Sequence, residues 1–376
     1  MSGRIEISDN TGLVQRFWHF DWLLLLLITA VACTGFAALY SAAGGQFDPW
    51  ASRQMMRFAV GVLGMLFIAM IDIRIWHRFA YAIYALCFVM LIAVEVMGHV
   101  GMGAQRWINL GFIQLQPSEL VKIAVIMALA RYFHAGTVEN VKRITYLIPP
   151  ALMVLAPMGL VMVQPDLGTA LMIGMVGTVL FFVAGAPRWL FLSGIAAAAA
   201  AVPIGWHFMR DYQKQRVLTF LHPESDPLGA GYHITQSKIA LGSGGISGKG
   251  FLNGTQSHLN FLPEKQTDFI FTLWGEEWGL LGGLLLLALF GFIFLYCGWI
   301  AFRCRHSFGR LLAFGLMVNF SLYVFINTAM VMGLIPVVGV PLPLVSYGGT
   351  AMLAALAGFG LIVSCHMHRD AKLPRM

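Results

Sequence analysis

The chain has 376 residues, 59% of them hydrophobic and 11% charged, with a net charge of +7. Soluble domains carry about 25% charged residues, so this composition excludes a soluble enzyme. It points instead to an all-α polytopic membrane protein, whose apolar runs close their backbone hydrogen bonds internally, and the positive charge is read as basic cytoplasmic loops rather than a nucleic-acid surface.

In chain order, the apolar runs predict about ten transmembrane helices of bilayer length. They fall at 20–40, 55–71, 77–98, 118–134, 144–163, 167–184, 188–207, 271–300, 308–332 and 346–366. The first run, Leu23 to Tyr40, is long for a signal h-region, and no small-residue cleavage pattern follows it. Runs 55–71 and 118–134 are short for a full crossing, and Gln164-Pro165-Asp166 leaves room only for a tight turn. An even span count places both termini on one side, together with Arg74, Arg131, Arg143, Arg303 and Arg369. The opposite short loops carry only Arg53, Arg57, Arg106 and Lys122, so the termini are expected in the cytoplasm. Residues 208–270 then form a large periplasmic loop between spans seven and eight, within a single transmembrane domain covering 1–376.

Within that loop, Ile234 to Leu241 predicts a short amphipathic helix on the outer surface. The run Gly242-Ser-Gly-Gly-Ile-Ser-Gly-Lys-Gly250 does not match a P-loop and reads as a flexible turn, with a backbone nest for a diphosphate as the other reading. The five cysteines imply no disulfide framework, and no Cys/His spacing suits a metal.

The ionisable groups at the outer ends of the spans are the candidates for chemistry. Glu119 and Lys122 are three apart, so they share a helix face and can pair; substrate contact is the second reading. Arg106 lies nearby in Gly103-Ala-Gln-Arg-Trp. Asp166 reads as a helix N-cap. Arg216, Lys238 and Lys249 form part of a cationic shelf, either solvated or suited to an anionic lipid head group. Asp268 precedes a long apolar run; it either caps that helix or serves as a partly desolvated general base. Glu276 and Glu277 read as support for the same helix's dipole, and Asn319 and Asn327 as interhelical hydrogen-bonding groups. Pro336 to Thr350 interrupts an apolar region and reads as a re-entrant or tightly packed loop.

In their order, these stretches resemble the SEDS family (shape, elongation, division and sporulation). The resemblance runs through Gly103-Ala-Gln-Arg-Trp, Gln116-Pro-Ser-Glu, Gln164-Pro-Asp-Leu-Gly-Thr, Asp226-Pro-Leu-Gly-Ala-Gly-Tyr, Phe261-Leu-Pro-Glu, Thr267-Asp-Phe-Ile-Phe and Pro336 to Gly349. Gly254-Thr-Gln-Ser ahead of Phe261 looks more like the elongation branch, which determines rod shape, than the division branch. The chain departs at Lys265-Gln266, where many members place Arg-His; Lys265 keeps the charge. The resemblance implies a peptidoglycan glycosyltransferase of the inner membrane that polymerises lipid II on the periplasmic face. It puts the family's essential aspartate on Asp268 and its buried acid–base pair on Glu119 and Lys122. Arg106, Arg216, Lys238 and Lys249 join that pair as candidate substrate-binding residues. It also implies a class B penicillin-binding protein transpeptidase as partner, with MreB, MreC and MreD as associates. A divalent cation, magnesium or manganese, could share the work without a dedicated site. The competing readings are a lipid II transporter, for which repeat symmetry and a mid-membrane polar site are expected, and a non-catalytic scaffold for the transpeptidase.

Overall fold

The computed structural model describes residues 20–97, 99–101, 104–109, 114–164, 166–208, 211–222, 230–258 and 264–374. The helices are α1 Trp22–Ala42, α2 Ala51–Met70, α3 Ile73–Met97, α4 Pro117–Ala135, α5 Val138–Val141, α6 Ile144–Val163, α7 Leu167–Ala184 and α8 Arg188–Phe208. They continue with α9 Asp211–Leu221, α10 Ala230–Ser243, α11 Thr255–His258, α12 Ile270–Arg303, α13 Ser307–Val331 and α14 Gly349–Met367. Every predicted apolar run coincides with one of these helices. Among the described residues, eight are long and apolar enough to cross a membrane; α4 and α8 fall outside that set. The run expected to be short at 55–71 is a 20-residue helix, about 30 Å at 1.5 Å per residue and sufficient for a bilayer.

Helix α4 shows why hydropathy alone under-reads a central helix. It carries Glu119, Lys122 and Arg131, yet Val121 to Ala130 is buried throughout. Helices α3, α7, α13 and α6 pack around it. Its neighbours are protein rather than lipid, which is the setting where membrane proteins tolerate ionisable groups. Before it, the predominantly helical chain makes a small antiparallel sheet that sequence reading did not anticipate: β1 His99–Gly101, β2 Ala104–Asn109 and β3 Gln114–Leu115, with His99 opposite Trp107 and Ile108 opposite Leu115.

Two devices keep interrupted helices satisfied. Helix α6 contains Pro149, Pro150 and Pro157, and a proline frees the carbonyl four residues back. The Tyr132 hydroxyl donates to Tyr146 O at 2.8 Å, and the Tyr84 hydroxyl donates to Met153 O at 3.1 Å, so the carbonyls freed by Pro150 and Pro157 each find a donor. Helix α12 breaks at Gly279, with φ 65° and ψ −161°. There the glycine-rich run docks by exchange. Lys249 N–H and Gly250 N–H donate to Glu276 O and Glu277 O, while Leu280 N–H and Leu281 N–H donate to Gly245 O and Ile246 O. The backbones approach so closely that a Cβ on Gly279 would collide with Gly248 N, and one on Gly248 with Glu277 O. With those amides committed to α12, the diphosphate-nest reading finds no support.

The helix predicted at Ile234 to Leu241 is part of α10, which packs onto α12 and α13. Its Ser237 hydroxyl lies 2.7 Å from both Thr272 Oγ1 and Val331 O. It is thus partly buried in the bundle rather than lying on its surface. The segment between α13 and α14 is the tightly packed loop expected there: Val340, Leu342, Leu344, Val345 and Ser346 are all buried.

Candidate active site

Asp268 sits in a series of turns, Glu264 to Phe269, immediately before α12. Phe261 to Pro263, part of the motif around it, lie outside the described residues. The N-cap of α12 is Phe269, so the reading of Asp268 as the capping residue is corrected. What fixes this turn is the α13–α14 loop. Ser346 Oγ donates to Thr267 O at 2.6 Å, and Tyr347 N–H donates to Gln266 O at 2.8 Å. Asn327 Nδ2 donates to both Asp268 O at 2.8 Å and Val340 O at 2.7 Å. Asn327 therefore ties a catalytic candidate's backbone to a loop, rather than bridging two helices as sequence reading had it. The Asp268 carboxylate lies against Gly339, within 3.4 Å of where a Cβ would stand. Lys265, in the same turn, is nine-tenths buried, and burial pushes its ammonium pKa below the usual lysine value.

The expected Glu119–Lys122 pair forms at 2.8 Å and is buried. Gln116 stands at the N-cap and Pro117 in the first turn of α4, where proline's missing N–H costs nothing. Sequence reading missed the third member, Tyr323, whose hydroxyl contacts both Lys122 Nζ and Glu119 Oε2. Asn319, Tyr323 and Asn327 are spaced by four on α13 and all buried, so they form one polar stripe along a single helix face. Its middle residue, Tyr323, holds the Glu119–Lys122 pair and its last, Asn327, holds the backbone of Asp268. Glu119, Asn319 and Tyr323 also line a small cleft closed by Pro341 and Pro343 of the loop.

The remaining candidates divide. Arg106 Nε donates to Gln164 O at 3.3 Å, and its Nη1 lies 3.9 Å from Asp166 Oδ2. Asp166 is the expected N-cap of α7, accepting from Thr169 N–H at 3.2 Å. Lys238 is exposed, its side chain lying against Gly333. Arg216 lies on α9. Lys249, itself partly exposed, is committed to an ion pair with the buried Glu276 at 2.8 Å and also donates to Thr255 Oγ1 at 2.7 Å. Glu276 and Glu277 are correspondingly not first-turn dipole partners. They are wholly buried, at 0% and 1% exposure, beside the kink of α12. Arg57, which sequence reading used only for orientation, stacks over the Tyr347 ring at 4.6 Å. Among the described residues, no group of three His, Cys, Asp or Glu forms a cage for a metal ion such as magnesium or manganese.

The comparisons agree with this architecture. Residues 18–371 match the family model FtsW/RodA/SpoVE, described as cell cycle protein. The chain is 44% identical to the peptidoglycan glycosyltransferase MrdB of Escherichia coli K12, over 96% of this chain and 98% of that one. It is 35% identical to a probable peptidoglycan glycosyltransferase FtsW of Trichlorobacter lovleyi, over 93% of each chain. Among solved structures, it superposes with a TM-score of 0.82 and 34% identity on a chain from a study of how a peptidoglycan synthase complex coordinates polymerisation and crosslinking, covering 94% of this chain and 99% of that one. On the rod shape determining protein RodA of Thermus thermophilus the TM-score is 0.71 at 29% identity, covering 94% and 98%.

Proposed function

Because the chain belongs to the SEDS family of FtsW, RodA and SpoVE proteins, we propose that its peptidoglycan glycosyltransferase activity polymerises lipid II, with Asp268 as the general base. The enzyme is a multi-pass membrane protein, and its site lies at the periplasmic end of the bundle in the inner membrane. The observation that carries the reading is the polar stripe of α13, which brings the Asp268 turn and the buried Glu119–Lys122 pair onto one helix face.

The chemistry is an inverting transfer. Asp268 takes the proton of the acceptor sugar's 4-hydroxyl, and that oxygen attacks the anomeric carbon of the donor. The bond to undecaprenyl diphosphate breaks, and its electron pair leaves with the diphosphate. A positioned base contributes roughly 10²–10⁴ in rate. Fixed positive charge beside the leaving diphosphate contributes where charge develops. Arg106, Arg216 and Lys238 are assigned that role, with Lys122 acting through its pair with Glu119. Lys249 is assigned to structure, since Glu276 already holds it. The proposed partners are a class B penicillin-binding protein, which cross-links the product, and MreB, MreC and MreD.

The test is lipid II polymerisation by purified protein, with and without the cross-linking partner and with chelator. Asp268→Asn should insert and fold normally and polymerise lipid II roughly 10²–10⁴-fold more slowly. Glycan synthesis near the parent rate by that variant would remove Asp268 as the base.

A further inference from the structure

We infer that Asn327 is a positioning residue for the glycosyl-transfer base, and that it works with Gly339 as the two sides of a clamp on Asp268; the inference rests on the assignment of Asp268 above. Asn327 is fully buried on α13. Both of its amide hydrogens are committed, one to Asp268 O and one to Val340 O, at 2.8 and 2.7 Å. One side chain thus sets the spacing between the base's own backbone and the loop residue beside Gly339. Gly339 occupies the left-handed region, with φ +72°, and its missing Cβ leaves space 3.4 Å from Asp268 Oδ2. The bonds from Ser346 and Tyr347 hold the neighbouring residues Thr267 and Gln266 but do not reach Asp268. Asn327 is therefore a side chain that sets where the backbone of Asp268 lies, and Gly339 forms part of what its carboxylate faces.

A base must stand within hydrogen-bond reach of the proton it removes, and a displacement of about 1 Å can cost roughly 100-fold in rate. Asn327→Asp keeps the shape but turns two donors into acceptors facing two carbonyls. Gly339→Ala leaves Asn327 intact and puts a methyl group against the carboxylate, which desolvates it and raises its pKa.

The experiment measures kcat, KM and the pH profile of lipid II polymerisation for Asn327→Asp and Gly339→Ala. Asp268→Asn runs in parallel, with Thr328→Val as a control on the same helix. Asn327→Asp should lower kcat by roughly 100-fold at neutral pH, with KM within twofold and partial recovery at lower pH as the new carboxyl regains one donor. Gly339→Ala should move the acidic limb of kcat to higher pH. Thr328→Val should behave like the parent, because that hydroxyl bonds only carbonyls of its own helix. If Asn327→Asp fails to fold, Gly339→Ala decides alone, and an unmoved acidic limb overturns the clamp. Parent-like kcat in Asn327→Asp, or a loss carried wholly by KM, also overturns it. An active Asp268→Asn instead removes the base assignment, whereas an inactive Asp268→Asn beside parent-like clamp variants removes only the clamp.

Discussion

Asp268 and Glu276 lie eight positions apart around the start of α12, and the protein uses them in opposite ways. Glu276 is sealed, and its Oε1 accepts from Lys249 Nζ at 2.8 Å, Gln256 N–H at 2.9 Å and Thr255 Oγ1 at 3.2 Å. That carboxylate is spent on folding the glycine-rich run over the kink of its own helix. Asp268 is half-buried and is fixed through its backbone carbonyl, while its carboxylate meets the bare backbone of Gly339. Glu276 is thus bound through its carboxylate into the fold of its own helix, whereas the turn that carries Asp268 is anchored through backbone carbonyls.

Exchanging each acid for its amide should separate the two roles most sharply. Asp268→Asn should cost roughly 10²–10⁴ in polymerisation rate with the thermal midpoint unchanged. Glu276→Gln should lose about 1–3 kcal/mol of stability, the scale of charge-assisted hydrogen bonds to a buried group, with the surviving folded fraction still active. Paired measurements of melting and glycan synthesis check both. The contrast breaks if Glu276→Gln melts like the parent and makes no glycan.

The Glu119–Lys122–Tyr323 cluster lies between these extremes, since it is sealed like Glu276 but shares α13 with the residue that holds Asp268. Glu119→Ala leaves a buried ammonium with only Tyr323 for company, and losing one partner of a buried pair costs about 3–5 kcal/mol. Tyr323→Phe removes one hydroxyl and should cost about 1–3 kcal/mol. Chemical denaturation of the detergent-solubilised protein would measure both. If the smaller change costs more than the larger, the tyrosine rather than the ion pair is the organising member.

The sequence revealed a great deal of this, and what it left out has a physical reason. The long helices follow from apolar runs of bilayer length, and even α4 emerged because Ile123 to Leu129 is continuous, whereas α5, α9 and α11 lie in polar segments that carry no such signal. The Glu119–Lys122 pair was legible because its members are three residues apart on one helix. Tyr323 was not, because it meets Glu119 from 204 positions away and nothing in the chemistry of a lone tyrosine in an apolar run announces that contact. The clamp escaped for the same reason. Asn327 and Ser346 reach Asp268 and Thr267 across 59 and 79 positions, and their targets are backbone carbonyls, which every residue has. Glu276 misled in the opposite way. Its place near a predicted helix start suggested a dipole partner, and only the kink at Gly279 explains why it is buried.

His306 extends the comparison to the other end of α12 and α13 and sets the smallest effect. It caps α13, with Nδ1 accepting from Gly309 N–H at 2.8 Å and Nε2 lying 3.2 Å from His368 O. Both ring nitrogens are therefore committed, and the neutral tautomer carrying its proton on Nε2 satisfies both. Burial pushes its pKa down to about 4 from 6.5, with the His368 carbonyl opposing that shift. The unfolded chain then binds a proton below pH 6.5 that the folded chain does not accept until about pH 4. Stability is accordingly full above that window and falls as pH drops through it, by about 1.4 kcal/mol per pH unit at most. His306→Asn keeps a capping oxygen and removes the titration, so its melting temperature should match the parent near pH 7 and exceed it near pH 5. A parent-like decline toward pH 5 in that variant would move the acid sensitivity to other groups and leave His306 as a cap alone.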